Sequence, residues 1–325
     1  MGHFCTNFVV GMFKNEDIFT NGCSFRDEFL QFLDEHGFSF VELQSGFSGP
    51  AVGTSFYFES HKLLVVLVYL QHFRQQAQLP FHIDTVYVYE DRWFSNKELM
   101  KKRILSRLGV FKSVFARKCK VIYDSQVKAD SRINKHISDF LNQYHSYGDA
   151  KCRYRYALEY EGQTVAVATF SAPRPMPRQM IVQYREASQL TGEGPSVVFD
   201  SYEWVRYASL PDVRVVGGMG RLFKAFLEDA MCRNAMCGDV KRPFEVMTYS
   251  DTEWSSGDVY EKLGFRLVQE RKPVEFYVDR NTFERVAINK VSPHFECGDT
   301  YVKICNKGSR KYLYNSSPID WLSLV

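Results

Sequence analysis

The 325-residue sequence predicts an α/β protein in two parts, and three observations carry that expectation. Runs rich in Val, Tyr and Phe alternate with amphipathic helical stretches, the pattern of sheets covered by helices. Residues 154–160 and 164–170 read as paired strands joined by the hairpin Glu161-Gly162-Gln163. Between strand-like runs at 201–210 and 245–249, Gly217, Gly218 and Gly220 open a helix. One face of that helix carries Leu222, Phe223, Phe226, Leu227 and Ala230.

Composition narrows the function classes. Hydrophobic residues at 45% and charged residues at 24% describe an ordinary globular chain with a sizeable core. Aromatics at 15% are high, and an aromatic-rich core accounts for them. The net charge is +3, so any nucleic-acid partner must be argued from local clusters. Eight cysteines are scattered without a Cys-x-x-Cys pair, and no histidine stands at finger spacing beside Cys232 and Cys237. No metal site is expected, and the compartment is read as intracellular and reducing. The longest apolar run, residues 63–70, is too short to cross a bilayer, so no transmembrane segment is expected. A cleavable secretory pattern is lacking at the start. Met1-Gly2-His3-Phe4-Cys5-Thr6 nevertheless fits the loose signature of N-terminal lipidation. Nothing in the pattern fixes an oligomeric state.

In the first part, residues 1–124, a helix is expected over 25–33 with Phe25, Phe29, Leu30 and Leu33 on one side. Gly46, Gly49, Pro50 and Gly53 mark a loop. Strands follow at 55–58, 63–70 and 85–89, the last running into Glu90-Asp91-Arg92-Trp93. A helix over 96–108 turns Met100, Ile104 and Leu108 inward and stops at Gly109. Its other side and the residues after it are basic: Lys101, Lys102, Arg103, Arg107, Arg117 and Lys118 are opposed by little more than Glu98. Such a run is either a solvated helix face or a surface for a phosphate backbone.

The second part, residues 125–290, opens with a helix over 131–144. After the hairpin, 171–179, with three prolines, reads as an irregular connection, and 188–196 as a polar loop. Beyond the glycine turn and its helix, Asp258 stands three residues before Glu261, the spacing of a capping box. Gly264 closes that short helix, and another strand begins at 265–268. The last part, 291–325, holds strand-like runs at 301–305 and 312–314 around a turn, a terminal hairpin extension.

Four motifs carry a family likeness. They are His145-Ser146-Tyr147-Gly148, Glu203-Trp204-Val205-Arg206-Tyr207, Val216-Gly217-Gly218-Met219-Gly220-Arg221-Leu222, and the run from Tyr249 and Asp251 through Gly257 to Tyr260, Gly264 and Phe265. Their order resembles the GNAT acyltransferases, where a glycine-rich turn and helix hold the pyrophosphate of acyl-coenzyme A. The resemblance implies a GNAT-like mixed-sheet α/β domain with acyl-CoA, acetyl-CoA first, as cofactor. It implies cofactor contacts from Arg214, Val216, Gly217, Gly218, Met219, Gly220 and Arg221, and Tyr260 as the acid that protonates the departing thiolate. The family's Arg or Gln three residues before Gly218 falls here on Val215, with Arg214 beside it. More distantly, the set is similar to the bacteriophage Mom DNA-modification proteins, which implies an amine acceptor in DNA or RNA.

The run Tyr87-Val88-Tyr89-Glu90-Asp91-Arg92-Trp93, followed by the basic helix and Ala116-Arg117-Lys118-Cys119, carries a second likeness. It resembles the very-short-patch-repair type of nuclease that precedes GNAT-like domains in phage and mobile-element proteins. That implies an N-terminal restriction-endonuclease-like α/β domain. Such nucleases hold a divalent metal on carboxylates of adjacent strands. The matching places fall near Ser55 and Val66, so a non-cleaving relative is expected. A residual nuclease would need Glu59, Asp84 or Glu90 to converge on one ion.

The catalytic candidates are therefore Tyr260, Asp251 and His145, with Lys101, Lys102, Arg103, Arg107, Arg117, Lys118 and Trp254 as nucleic-acid contacts. Each has a plainer account. Tyr260 can simply pack on the sheet, Asp251 can cap a turn, and His145 can bond the last helix carbonyls. Trp254 can belong to a core instead of stacking on a base. The function expected is acyl-CoA-dependent transfer to an amine; its rival is a non-catalytic nucleic-acid-binding protein with both folds.

Overall fold

The computed structural model describes residues 24–43, 54–70, 83–123, 132–181, 193–236, 243–292, 295 and 297–316. The lipidation signature, the loop around Gly49 and residues 188–192 of the expected polar loop lie outside the described residues. The backbone divides into two units, Met1–Phe38 and Ser39–Val325. Within the first, α1 (Phe25–Glu35) starts at Ser24, whose hydroxyl accepts the Asp27 amide at 3.2 Å. Asp27 and Glu28 occupy its first turn, where the helix dipole favours acids.

The second unit begins with a four-stranded sheet of β1 (Val41–Leu43), β2 (Ser55–Phe58), β3 (Leu63–Val68) and β4 (Asp84–Tyr89), in that order. Only β3 and β4 run parallel. β3 is buried at every position, which is why its sequence is unbroken Leu and Val instead of alternating. Next come α2 (Glu90–Ser95), α3 (Lys97–Arg107), β5 (Lys112–Phe115), a 3₁₀ turn at Ala116–Lys118 and β6 (Lys120–Tyr123).

The chain continues through α4 (Arg132–Tyr144), β7 (Tyr154–Tyr160), β8 (Gln163–Phe170), β9 (Arg174–Ile181), β10 (Glu193–Ser209), β11 (Val213–Val216) and α5 (Gly218–Met236). It ends with β12 (Phe244–Asp251), α6 (Asp258–Lys262), β13 (Arg266–Arg271), β14 (Glu275–Asp279), β15 (Arg285–Ala287), β16 (Tyr301–Cys305) and β17 (Ser309–Asn315). The main sheet has the order β13-β17-β12-β10-β8-β7-β6, with β9 also on β10. Every neighbouring pair in it is antiparallel except β10 and β12. α5 buries Leu222, Phe223, Phe226 and Ala230 against this sheet, with Phe226 stacked on Phe170 at 3.9 Å between centroids. Among the described residues no helix is long and apolar enough to cross a membrane.

Several expectations are corrected. Residues 174–181 form a strand, not an irregular connection: among the described residues β9 pairs only with β10, and an edge strand tolerates Pro175 and Pro177. Residues 193–196 of the expected polar loop belong to β10. Asp258 does not cap α6. Gly257 takes that place at φ +91°, and a side chain there would collide with the ring of Tyr312. The last two strands form no hairpin. β17 inserts between β12 and β13, while β16 joins β14 and β15 in a small separate sheet.

That small sheet shares a core with the four-stranded one, Val278 and Ile304 meeting Leu64, Val66, Val68 and Tyr89. Across the same contact Arg285 donates to both oxygens of Asp91 at 2.7 and 2.8 Å. β5 pairs in parallel with β11, and β6 pairs with β7. The boundaries drawn at 124 and 291 thus run through hydrogen-bonded sheets, because strand partners here are chosen by distant apolar faces.

Candidate active site

β10 and β12 share hydrogen bonds only where residues 200–203 lie opposite 244–247. Past that point β10 shifts register against β8 between Trp204 and Arg206, while β12 runs on to Asp251 against β17. A bulge of this kind bends and twists its strand. The two parallel strands therefore part at their carboxyl ends, the position at which open α/β sheets bind ligands. One bond bridges the parting, from the Thr248 hydroxyl to the Trp204 carbonyl at 3.3 Å.

The glycine turn stands beside this gap. Gly217 has φ +77°, and the Arg221 amide closes onto its carbonyl at 3.0 Å. The amides of Gly218, Met219 and Gly220 are then the unpaired donors at the positive end of α5. A β-carbon on Gly218 would lie 3.0 Å from the Tyr207 hydroxyl and from Val215, and one on Gly220 would lie 3.2 Å from Leu263. Glycine is thus required by packing as well as by access. The buried Nε of Arg221 has no partner among the described residues. Val215 is buried in β11, while Arg214 is exposed and lies over the Phe111 ring at 5.2 Å. Ala116 is 3.9 Å from where a Gly217 β-carbon would stand, which puts the exposed Arg117 and Lys118 at the same turn.

Tyr260, on α6, packs between Trp204 and Tyr312 at 5.8 and 5.4 Å. Burial raises its phenol above the usual range, opposed by a hydrogen bond with Thr248. The Tyr207 phenol is raised too, by burial and then by Tyr260 beside it. Tyr260 is thus linked to Gly218 through one intervening side chain, and both phenols keep their protons at neutral pH.

A second cluster lies at the far end of β12. Asp251 at the end of β12, Glu253 and Trp254 from the turn after it, Tyr87 and Tyr89 from β4, Arg92, Met100 and Arg103 from α2 and α3, and Ser146 and Tyr147 line a pocket of about 300 Å³ counting its open mouth. The turn is tied down by the Glu253 amide on Asp251 Oδ1 at 3.0 Å and by the Tyr87 amide on the Glu253 carbonyl at 2.9 Å. Burial pushes Asp251 above the usual carboxylate range, and burial followed by Asp251 pushes Glu253 up to about 8. Arg103 lies over the Trp254 ring at 3.8 Å, donates to the Ser146 hydroxyl, and is brought down to about 10 by burial.

Three expected nucleic-acid contacts are therefore taken up internally. Arg103 and Trp254 stack on each other, and Arg107 donates to the Trp254 carbonyl at 3.2 Å and pairs with Asp84. The basic side of α3 meets an acidic turn of the same protein. Lys101 is half-buried, while Lys102, Arg117 and Lys118 remain exposed. His145 accepts the Tyr147 amide on Nδ1 at 3.1 Å, and burial, then Arg206 and Arg103, push it down to about 4. It is a neutral, weakly basic ring that does not line the pocket. Tyr260 does not line it either. Thr248 and Asp251, three residues apart on β12, mark two neighbourhoods about 10 Å apart. Tyr207, Thr248, Tyr147 and Glu253 were not named as site residues in the sequence; Tyr147 and Tyr207 did stand inside the His145–Gly148 and Glu203–Tyr207 motifs.

Glu90 accepts the Leu70 amide at 2.8 Å, and Asp84 pairs with Arg107. Among the described residues no group of three or more His, Cys, Asp or Glu could hold a metal ion.

No protein-family model and no curated protein matches the chain. Solved structures do. A GNAT family acetyltransferase from Elizabethkingia anophelis with acetyl-CoA bound is 16% identical at a TM-score of 0.30, covering 61% of this chain and 97% of its own. The ribosomal-protein-S18-alanine N-acetyltransferase of Escherichia coli is 13% identical at 0.32, covering 62% and 98%. A Bacillus subtilis acetyltransferase in complex with CoA is 12% identical at 0.28, covering 61% and 99%.

Proposed function

We propose that the chain is an acyl-coenzyme A-dependent N-acyltransferase of the GNAT type. The observation that carries this reading is the parting of β10 and β12, flanked on one side by the glycine turn of α5 and on the other by Tyr260. Acyl-CoA fits the residues present: the unpartnered Nε of Arg221 and the amides of Gly218, Met219 and Gly220 offer donors to a diphosphate. The exposed Arg117 and Lys118, brought to the same turn by β5, add positive charge for a further phosphate. The coenzyme supplies an acyl group activated as a thioester. Backbone amides of β10 beyond Trp204 that no longer pair with β12 steady the developing oxyanion in this reading. The Tyr260 phenol, protonated at neutral pH, donates a proton to the departing sulfur.

For the acceptor, the motif likeness favours an amine of DNA or RNA, and Lys102, Arg117 and Lys118 are the exposed cations left for such a partner. The inward fate of Arg103, Arg107 and Trp254 weighs against an extended phosphate-binding face. Thermal unfolding tests the central reading. Acetyl-CoA at a hundred times its dissociation constant adds about 2.7 kcal/mol of stability. Tyr260→Phe keeps that stabilisation and lowers turnover by roughly a hundredfold. Absence of any shift with acetyl-CoA would discard the transferase.

A further inference from the structure

The small sheet of β5 and β11, beside the glycine turn, has an outward face that the fold leaves uncovered. The two strands run parallel, with Val114 opposite Val215 and Phe115 opposite Val216. Val114 and Val215, 5% and 8% exposed, join the core of the main sheet. Strand alternation then turns Ser113, Phe115, Arg214 and Val216 outward, and all four are exposed. Ser113 and Arg214 are polar, as suits a solvated face. Phe115 and Val216 are not. They stand side by side, 45% and 42% exposed, at the end of the sheet that runs into Gly217. Cations frame the pair: the Arg117 guanidinium lies over the Phe115 ring at 4.7 Å, and Lys118 beside it is exposed.

We infer that this face seats the nucleotide end of the coenzyme, its purine packed on Phe115 and Val216 and its ribose phosphate beside Arg117 and Lys118. The inference rests on the transferase reading and adds a donor-selecting residue, Phe115, from a strand that precedes the main sheet. A purine offers a broad flat apolar face, which an exposed aromatic ring beside a guanidinium can stack. A phosphate needs cations with hydrogen-bond donors, which the next two basic residues provide. The spacing agrees. Val216 lies two residues before Gly218, at most about 7 Å along the chain, a span that a ribose bridges between a base and a diphosphate held by the turn. Pairing with β11 fixes Phe115 at that place, and Ala116 lies against Gly217 directly after it.

The test is calorimetric titration of the natural protein, Phe115→Ala and Phe115→Trp with acetyl-CoA and with adenosine 3′,5′-bisphosphate. The bisphosphate carries the nucleotide without the pantetheine arm. Both ligands should bind the natural protein and compete with each other. Phe115→Ala should weaken each by roughly tenfold, as loss of one stacked base does, and Phe115→Trp should restore them. Thermal unfolding without ligand reports whether the variants fold, and the bisphosphate titration of the natural protein stands without them. Acetyl-CoA bound while the bisphosphate is ignored, or both bound equally well by Phe115→Ala, would overturn the seat and leave the transferase. A Phe115-dependent bisphosphate with acetyl-CoA refused would keep a nucleotide seat and discard the transferase. A single-stranded oligonucleotide that displaces the bisphosphate at lower concentration than acetyl-CoA does would overturn the seat in favour of a nucleic-acid surface.

Discussion

Asp91 and Glu253 are electrostatic neighbours with nearly identical burial, 0% and 4% exposed, and opposite fates. Asp91 gives both oxygens to Arg285, whose side chain is itself only 3% exposed, and so joins α2 to β15. Glu253 holds its backbone in a turn but leaves a side-chain oxygen without a hydrogen-bond partner among the described residues. A closed pair has an evident structural use. An unpartnered carboxyl at the same depth lowers stability without one, and such local inconsistencies collect where ligands bind. The contrast is one of degree, because Arg285 Nη1 also lacks a partner among the described residues.

The largest effect expected from breaking the contrast falls on the clamp. Asp91→Ala leaves Arg285 buried and uncompensated, and urea unfolding should show a loss of about 3–5 kcal/mol. Replacing both partners with apolar residues, Asp91→Leu with Arg285→Met, should recover most of it; a mild single variant would remove the clamp. An intermediate effect comes from pH. The folded-state pKa of Glu253, about 8, lies above its ordinary 4.5, so between those values the folded protein binds the extra proton. Stability therefore falls as pH rises through that window, by on the order of a few kcal/mol, and Asp251, also raised, acts in the same direction. Glu253→Gln should flatten much of that slope, and an unchanged pH profile would mean that Glu253 is already ionised. The smallest effect concerns the exposed cations at the glycine turn. Arg117→Ala with Lys118→Ala should leave unfolding within about 0.5 kcal/mol, yet weaken acetyl-CoA binding by roughly fivefold per residue, about 1 kcal/mol each.

How much of this was legible depends on the range of the forces involved. The helix of α5 and the hairpin of β7 and β8 were readable because helical periodicity and turn chemistry are local. So was the company of Gly218 and Tyr260, which the motif order already suggested. The pairing of β16 and β17 was not, since their partners are picked by apolar faces far away in sequence. Pro175 and Pro177 looked like strand breakers because nothing local says that β9 is an edge. Asp258 had the right spacing for a cap, but the packing of Tyr312 on Gly257 overrode it. The basic residues of α3 show the same limit for the site: Arg103 and Arg107 read alike whether they face phosphate or the turn at Asp251. Glu253, hidden between Thr252 and Trp254, had no sequence signal to mark it.

The insertion of β17 between β12 and β13 has a consequence for biosynthesis. Both neighbours leave the ribosome well before the strand that divides them, so they cannot settle side by side without later having to separate. Tyr312, which dictates the conformation at Gly257 and lies against Tyr260, arrives with that late strand. A nascent chain can therefore assemble its glycine turn early, but α6 takes its final seat only once β17 has emerged and slid home.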